Sequence, residues 1–157
     1  MDMRDKIKTR SQIKTIAVKL RSGGKEIVFT NGCFDILHRG HVEYLAKAKK
    51  PGDILIVGLN SNSSVKKIKG PKRPINNQKD RAIVLAALEA VDYVVMFSED
   101  TPYELIKAIK PDVLAKGGDW KPKDIVGSDI VKKTVSVPFV RGYSTTGLLC
   151  KIGCKGR

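Results

Sequence analysis

Aromatic residues make up only 6% of this 157-residue chain, which leaves few platforms on which the bases of a single nucleic-acid strand can stack. No apolar run approaches the roughly 18 residues of a membrane-spanning helix, so no membrane partner is expected. Cysteine occurs three times, as Cys33, Cys150 and Cys154. An odd count builds no paired disulfide framework and fits reduced thiols. Cys150 and Cys154 are close in sequence, but no histidine or second cysteine pair completes a zinc set beside them. The segment from Met1 to Arg10 is charged and shows no apolar stretch followed by small residues, so no secretory signal is read there and a cytoplasmic address is the expectation.

Acidic side chains are also short: 16 aspartates and glutamates face 30 lysines and arginines, a formal net charge of +14. Such an excess points to an anionic partner, whether nucleic acid, nucleotide or phosphorylated metabolite. The lysines are scattered along the chain rather than blocked, which together with the few aromatics turns the expectation away from nucleic acid. With 41% hydrophobic and 29% charged residues the composition is that of an ordinary globular protein. The length suits one domain over residues 1–157, with a leading helix at about 9–22 and a core from 26 to 152.

Ser11 followed by Ile13, Ile16, Ala17 and Leu20 reads as an N-cap and an apolar helical stripe, closed by Gly23 and Gly24. Strands are expected at Glu26 to Thr30, Ile54 to Leu59, Tyr93 to Phe97, Val113 to Lys116 and Val135 to Val140. Helices are expected at Gly40 to Lys50, Asn77 to Ala90, Pro102 to Ile109 and Thr145 to about Ile152. Thr101 and Glu104 form a capping-box pattern with Pro102 at the first helical position, and Ser144 is placed to cap the last helix. Strands alternating with helices imply right-handed crossovers between parallel strands. The expected fold is α/β: a Rossmann-like, doubly wound, five-stranded parallel sheet in a three-layer sandwich. Ligands of such sheets sit outside the carboxyl ends of the strands, where the strand order switches.

The two histidines of the chain, His38 and His41, both fall in the segment from Thr30 to His41, which leaves the first strong strand and enters a helix. A helix start offers unpaired N–H groups and partial positive charge, and Gly32 and Gly40 permit close backbone approach, a combination suited to phosphate. The competing readings are histidines that cap a helix or fill a turn, and a metal pair assisted by Cys33 or Asp35. A turn does not need two imidazoles straddling a glycine, and a transition metal wants a clearer third ligand.

Gly32-x-Phe34-Asp35 followed by His38-x-Gly40-His41 resembles the signature of the cytidylyltransferase-like nucleotidyltransferase superfamily, and Ser144-Thr145-Thr146 resembles its later Ser-Thr-Thr element. The stretches from Lys69 to Asn76, Arg81 to Leu88, Glu99 to Pro102 and Lys116 to Trp120 are similar to one branch, the heptose 1-phosphate adenylyltransferases. That branch is close to the nucleotidyltransferase half of the bifunctional heptose kinase/adenylyltransferase. The likeness runs from about Lys8 to Ile152 and includes nothing of the sugar-kinase half, as expected of a stand-alone form.

The resemblance implies transfer of AMP from ATP to a sugar 1-phosphate, D-glycero-D-manno-heptose 1-phosphate, giving an ADP-sugar for lipopolysaccharide and pyrophosphate. It further implies that His38 and His41 bind the triphosphate and stabilise charge at the α-phosphorus, with Lys69 and Arg81 neutralising triphosphate or sugar phosphate. Asn31, Gly32 and Phe34 then shape the nucleotide pocket, Asp35 orients the loop, and Gly40 admits the phosphates. Ser144, Thr145 and Thr146 hold phosphate oxygens from the opposite side. Lys116 and Gly117 meet the ligand after a buried strand, and Asp119 lies near sugar or nucleotide. The implied cofactor is Mg²⁺ held mainly by phosphates, with no protein metal site, and a homodimer is common among such transferases.

Blander roles compete at several of these positions. Lys69 sits among Lys66, Lys67 and Lys72 and suits a solvated surface, Arg81 suits a helix-surface salt bridge, and Gly117-Gly118 suits a plain turn. The other enzyme readings are a cytidylyltransferase for glycerol 3-phosphate or a similar polyol phosphate, and a different small-metabolite adenylyltransferase. The related glycerol-3-phosphate cytidylyltransferases carry an arginine five residues before the Ser-Thr-Thr serine, where this chain has Phe139, a departure that favours adenine over cytosine.

Overall fold

A computed structural model describes residues 2–118 and 120–153. A 3-10 turn at Met3–Lys6 leads into β1 (Ile7–Lys8) and α1 (Arg10–Ser22), followed by β2 (Ile27–Gly32), α2 (Arg39–Lys49), β3 (Ile54–Asn60), α3 (Asn62–Lys69) and α4 (Gln78–Ala86). The second half contains β4 (Tyr93–Phe97), α5 (Tyr103–Ile109), β5 (Val113–Gly117), a 3-10 turn at Pro122–Asp124, β6 (Lys133–Val137) and α6 (Thr145–Lys151).

The sheet has six strands rather than five, in the order β1-β4-β3-β2-β5-β6, and every pairing is parallel. The extra strand is β1, whose two residues pair with Val94 and Val95 and are too few to show an alternating pattern in sequence. β6 runs two residues earlier than expected and stops before Pro138, which has no N–H to give a ladder. α3 was not anticipated. It is a short, lysine-rich helix capped by Ser61, whose hydroxyl accepts from the Ser64 N–H.

Caps explain the other shifts. Thr9, not Ser11, caps α1, in a capping box with Gln12. Pro102 itself occupies the N-cap of α5, so the Thr101 and Glu104 pattern lies out of register and no side chain caps that helix. Ser144 caps α6 as expected, accepting from the Gly147 N–H.

β2 is the central strand. It pairs along its whole length with β3, from Ile27 with Ile54 to Gly32 with Leu59, and on its other side with β5. The chain therefore leaves β2 to build β3 and β4 on one side and crosses back to build β5 and β6 on the other. The switch in strand order lies between β2 and β5, and a crevice opens beyond their carboxyl ends.

Alternation along the strands feeds two cores. Val28, Val57 and Val94 pack with Leu45 of α2 and with Ala82 and Leu85 of α4. Ile27, Phe29, Ile56 and Val95 pack with Ile13 and Ala17 of α1 and with Leu105 and Ile109 of α5. Strands buried on both faces read as continuous apolar runs, which is why β3 and β4 were legible. Leu45 is fully buried in the first core. Its replacement by alanine is expected to cost about 2–5 kcal/mol and to lower the midpoint of thermal unfolding by roughly 5–15 °C, checked by calorimetry.

Candidate active site

A cleft of about 720 Å³ opens at the carboxyl ends of β2 and β5. Its walls come from seven places in the chain: the end of β2 and the loop into α2, the end of β3, the end of α3 with the loop behind it, the β4–α5 turn, the end of β5, Val126 after the second 3-10 turn, and the segment leading into α6. Beneath it, Tyr44 of α2 spans the switch point. Its buried hydroxyl lies 2.6 Å from Thr30 Oγ1 of β2 and donates to the Ala115 carbonyl of β5 at 3.4 Å.

The loop after β2 makes a sharp turn at Phe34, whose φ of 45° lies in the left-handed region that non-glycine residues seldom enter. This turn lays the Phe34 ring edge-on to His41, with ring centroids 5.4 Å apart. His38 then takes the N-cap position of α2 without any side-chain cap bond, so no side chain of its own satisfies the first amides of that helix. The imidazoles of His38 and His41 stack with centroids 3.8 Å apart and planes 23° from parallel. Gly40 lies between them in sequence, and a Cβ there would meet His38 Cε1 and Tyr143 Cβ, each at 2.9 Å.

Burial and the neighbouring His38 push the pKa of His41 from 6.5 down to about 4, and burial also lowers that of His38. Both rings are thus neutral near pH 7 and offer N–H donors. Nδ1 of each ring is buried without a hydrogen-bond partner, and among the described residues no other buried side-chain polar atom shares that condition. Such atoms call for a partner, and a phosphate oxygen is a suitable acceptor.

Of the residues singled out from sequence, Asn31, Gly32, Phe34, Asp35, His38, Gly40, His41, Lys69, Lys116, Gly117, Ser144, Thr145 and Thr146 all line this cleft. Thr145 donates from Oγ1 to the Ile36 carbonyl at 3.3 Å and so ties the start of α6 to the loop before α2. Lys116 is half-buried, and burial lowers its pKa. Its ammonium stands 5.6 Å from the Trp120 ring centroid. Asp119 lies outside the described residues.

Arg81 does not reach the cleft. It is 2% exposed, and its guanidinium donates to the carbonyls of Asn76, Cys33 and Asn60 and to Asn62 Oδ1. The surface salt bridge considered for it is not present among the described residues, and its hydrogen bonds fasten together the loops that form the floor. Asp35 is likewise buried. Burial would raise its pKa, but the N–H groups of Asn76 and Ile75 and the Arg73 side chain overcome that and hold it below the usual carboxylate value.

Arg73, Tyr143 and Phe139 also line the cleft and were given no role from sequence. For Phe139 the signal was its place five residues before Ser144. It is 71% exposed, and a Cβ on Gly117 would meet its ring at 2.8 Å, so the ring lies on the backbone at the end of β5.

The fold and the cleft define a Rossmann-like nucleotide-handling enzyme. Residues 29–145 match the family model described as cytidylyltransferase-like. The chain belongs to the cytidylyltransferase-like family of nucleotidyltransferases. It is 60% identical over 151 residues to the bifunctional protein HldE of Wolinella succinogenes, a match covering 96% of this chain and 32% of that protein. It is 63% identical over 143 residues to HldE of Nitratiruptor sp., covering 91% of this chain and 31% of the relative. The chain thus spans about a third of the length of these curated relatives.

Among solved structures, the lipopolysaccharide core biosynthesis protein of Thermoplasma volcanium superposes with a TM-score of 0.66 at 30% identity, covering 74% of this chain and 99% of that one. The pantoate-beta-alanine ligase of Francisella tularensis shares the fold at 21% identity, with a TM-score of 0.61 over 86% of this chain and 67% of its own. No helix among the described residues is long and apolar enough to cross a membrane.

The lowered pKa of His41 is expected to make stability depend on pH. Between about pH 6.5 and about pH 4 the unfolded chain takes up a proton at this ring that the folded chain refuses, so stability is retained above that window and lost as pH falls through it. The urea midpoint of the native chain is expected to drop across this range, and that of His41→Gln to drop less. Identical pH profiles would exclude the ring as the source.

Proposed function

We propose that the chain transfers AMP from ATP to the phosphate of a sugar 1-phosphate, with D-glycero-D-manno-heptose 1-phosphate as the acceptor. The observation that carries this reading is the stacked pair of neutral imidazoles at the start of α2, each with an unpartnered buried nitrogen, in a cleft at the switch point. The heptose-branch motifs, the HldE relatives and the lipopolysaccharide core biosynthesis protein support the sugar. Phe139, an aromatic face on the cleft wall where the glycerol phosphate enzymes carry arginine, supports adenine.

In this reaction an oxygen of the acceptor phosphate attacks the α-phosphorus. A new P–O bond forms, the bond from the α-phosphorus to the oxygen bridging to the β-phosphorus breaks, and its electron pair leaves with pyrophosphate. The acceptor phosphate is already largely dianionic near neutral pH, its second pKa being about 6, so no protein base is required. Catalysis consists of aligning two anions and relieving their repulsion. His38 and His41 donate to oxygens whose charge grows in the transition state. The amides at the start of α2, with Ser144, Thr145 and Thr146 facing them, hold the triphosphate, and Lys116 and Lys69 supply positive charge.

Mg²⁺ belongs to the same proposal, shielding the phosphates from one another. Asp35 and Asp100, the described carboxylates on the cleft wall, are engaged by Arg73 and Lys67, and no group of three histidine, cysteine or acidic side chains gathers among the described residues. Mg²⁺ would in this proposal be held mainly by the triphosphate oxygens and would neutralise part of their charge. A homodimer is part of the proposal as its assembly.

Pyrophosphate release measured across ATP, CTP and GTP with a panel of sugar and polyol phosphates is expected to be fastest with ATP and heptose 1-phosphate. Preference for CTP and glycerol 3-phosphate would replace the proposal with the cytidylyl reaction. Replacing His41 by alanine is expected to lower kcat by about a hundredfold to a thousandfold, the usual effect of losing one donor to a transition-state oxyanion. A loss below threefold in a folded variant would remove that role.

A further inference from the structure

The loop joining α3 to α4 is laced to the β2–α2 junction through one carboxylate. Asp35, 3% exposed, accepts from Arg73 Nε at 2.6 Å, from the Ile75 N–H at 2.8 Å and from the Asn76 N–H at 2.9 Å. Its own carbonyl accepts from Asn76 Nδ2 at 2.9 Å. The bond through Nε fixes the plane of the Arg73 guanidinium but leaves Nη1 and Nη2 without a hydrogen-bond partner among the described residues. The Arg73 side chain is 16% exposed, and it lines the cleft.

A guanidinium held at one edge by a buried carboxylate and open to a cavity at the other is a pre-oriented fork for two oxygens of one phosphate. Asp35 does not simply cancel the charge, because two backbone N–H groups share its oxygens. Arg73 belongs to a different segment of the cleft wall from the helix starts proposed to hold the triphosphate. The starts of α2 and α6 and the imidazole pair flank the crevice between β2 and β5, whereas Arg73 stands on the loop before α4, on the β3 side.

We infer that Arg73 binds the phosphate of the acceptor through its outer guanidinium edge, and that Asp35 is the positioning residue that aims it. The inference rests on the nucleotidyltransferase reading of the cleft and names a further substrate-binding residue within it. Lys69, on the same wall at the last turn of α3, is exposed and makes no side-chain hydrogen bond among the described residues, so it adds charge without direction.

The test is steady-state kinetics of the full chain and of R73A, R73K and R73Q, with ATP and heptose 1-phosphate varied separately. R73A is expected to lower kcat/KM for heptose 1-phosphate by about 10-fold to 100-fold, the range for losing a charge-assisted hydrogen-bonded pair, and to change KM for ATP by less than threefold. R73K is expected to stay impaired, because an ammonium cannot form the fork, and added guanidinium ion to restore part of the R73A loss. D35N combined with R73A is expected to lose less than the two single losses together, since an absent guanidinium cannot be misaimed; a carboxylate that merely stabilised the loop would give additive losses.

Thermal unfolding checks each variant, and R73Q, which keeps most of the volume and an amide donor, takes the place of R73A if the alanine variant melts early. Unchanged acceptor kinetics in a folded variant would overturn the inference, and so would a loss confined to ATP. If the native chain releases no pyrophosphate from any pair, the underlying reaction fails. Calorimetric binding of heptose 1-phosphate to the native chain and to R73A then decides Arg73 separately, equal affinities overturning it and weaker binding to R73A supporting it.

Discussion

The Arg81 guanidinium sits where three loops meet, and most of the cleft depends on it. Its four hydrogen bonds reach the carbonyl of Cys33 after β2, the carbonyl of Asn60 at the end of β3, the side chain of Asn62 at the start of α3 and the carbonyl of Asn76 before α4. None of these partners is charged, and burial is the main cause that lowers the Arg81 pKa. A buried cation is tolerated there because oriented carbonyl dipoles and a planar, weakly hydrated guanidinium suit each other. Once those carbonyls are fixed, the loop after β2 can hold Phe34 in its strained turn. The Asp35 latch and the stacked imidazoles follow from that loop.

Three aspartates close the end of the sheet opposite the cleft. Asp53, Asp92 and Asp112 accept from the N–H groups of Glu26, Leu55 and Ile27 and so pin the amino-terminal rim of the sheet. The carboxyl rim carries Lys69, Arg73, Lys116 and the helix starts. Each of those aspartates is also paired with a lysine, Lys25, Lys49 and Lys132 respectively, while the net charge of +14 favours anionic ligands in general.

Much of this was legible in the sequence, for physical reasons that differ from element to element. β2, β3 and β4 are apolar on both faces and announced themselves, as did the glycine and histidine pattern around α2. β1 has too few residues to carry a period, and α3 has too few apolar residues to show a stripe. The ends of α1 and α5 moved because several capping residues compete within one turn, and only backbone geometry decides among them. Cleft residues were recovered where the motif is contiguous. Arg81 was read as a phosphate contact with a surface salt bridge as the competing role; its burial was signalled only by the face it shares with Leu85, beside Ala82 in the buried stripe of α4. Arg73 was passed over because its significance comes from Asp35, distant in the chain and adjacent only after folding.

Gly40 has a consequence for the width of the cleft. Its Cα hydrogen occupies the gap between the His38 ring and Tyr143, where a methyl group would touch both at 2.9 Å. The glycine thus acts as a spacer of minimum thickness between the opening turn of α2 and the strap that precedes α6. Any bulkier residue would wedge the two walls apart and widen the cleft at its narrowest contact.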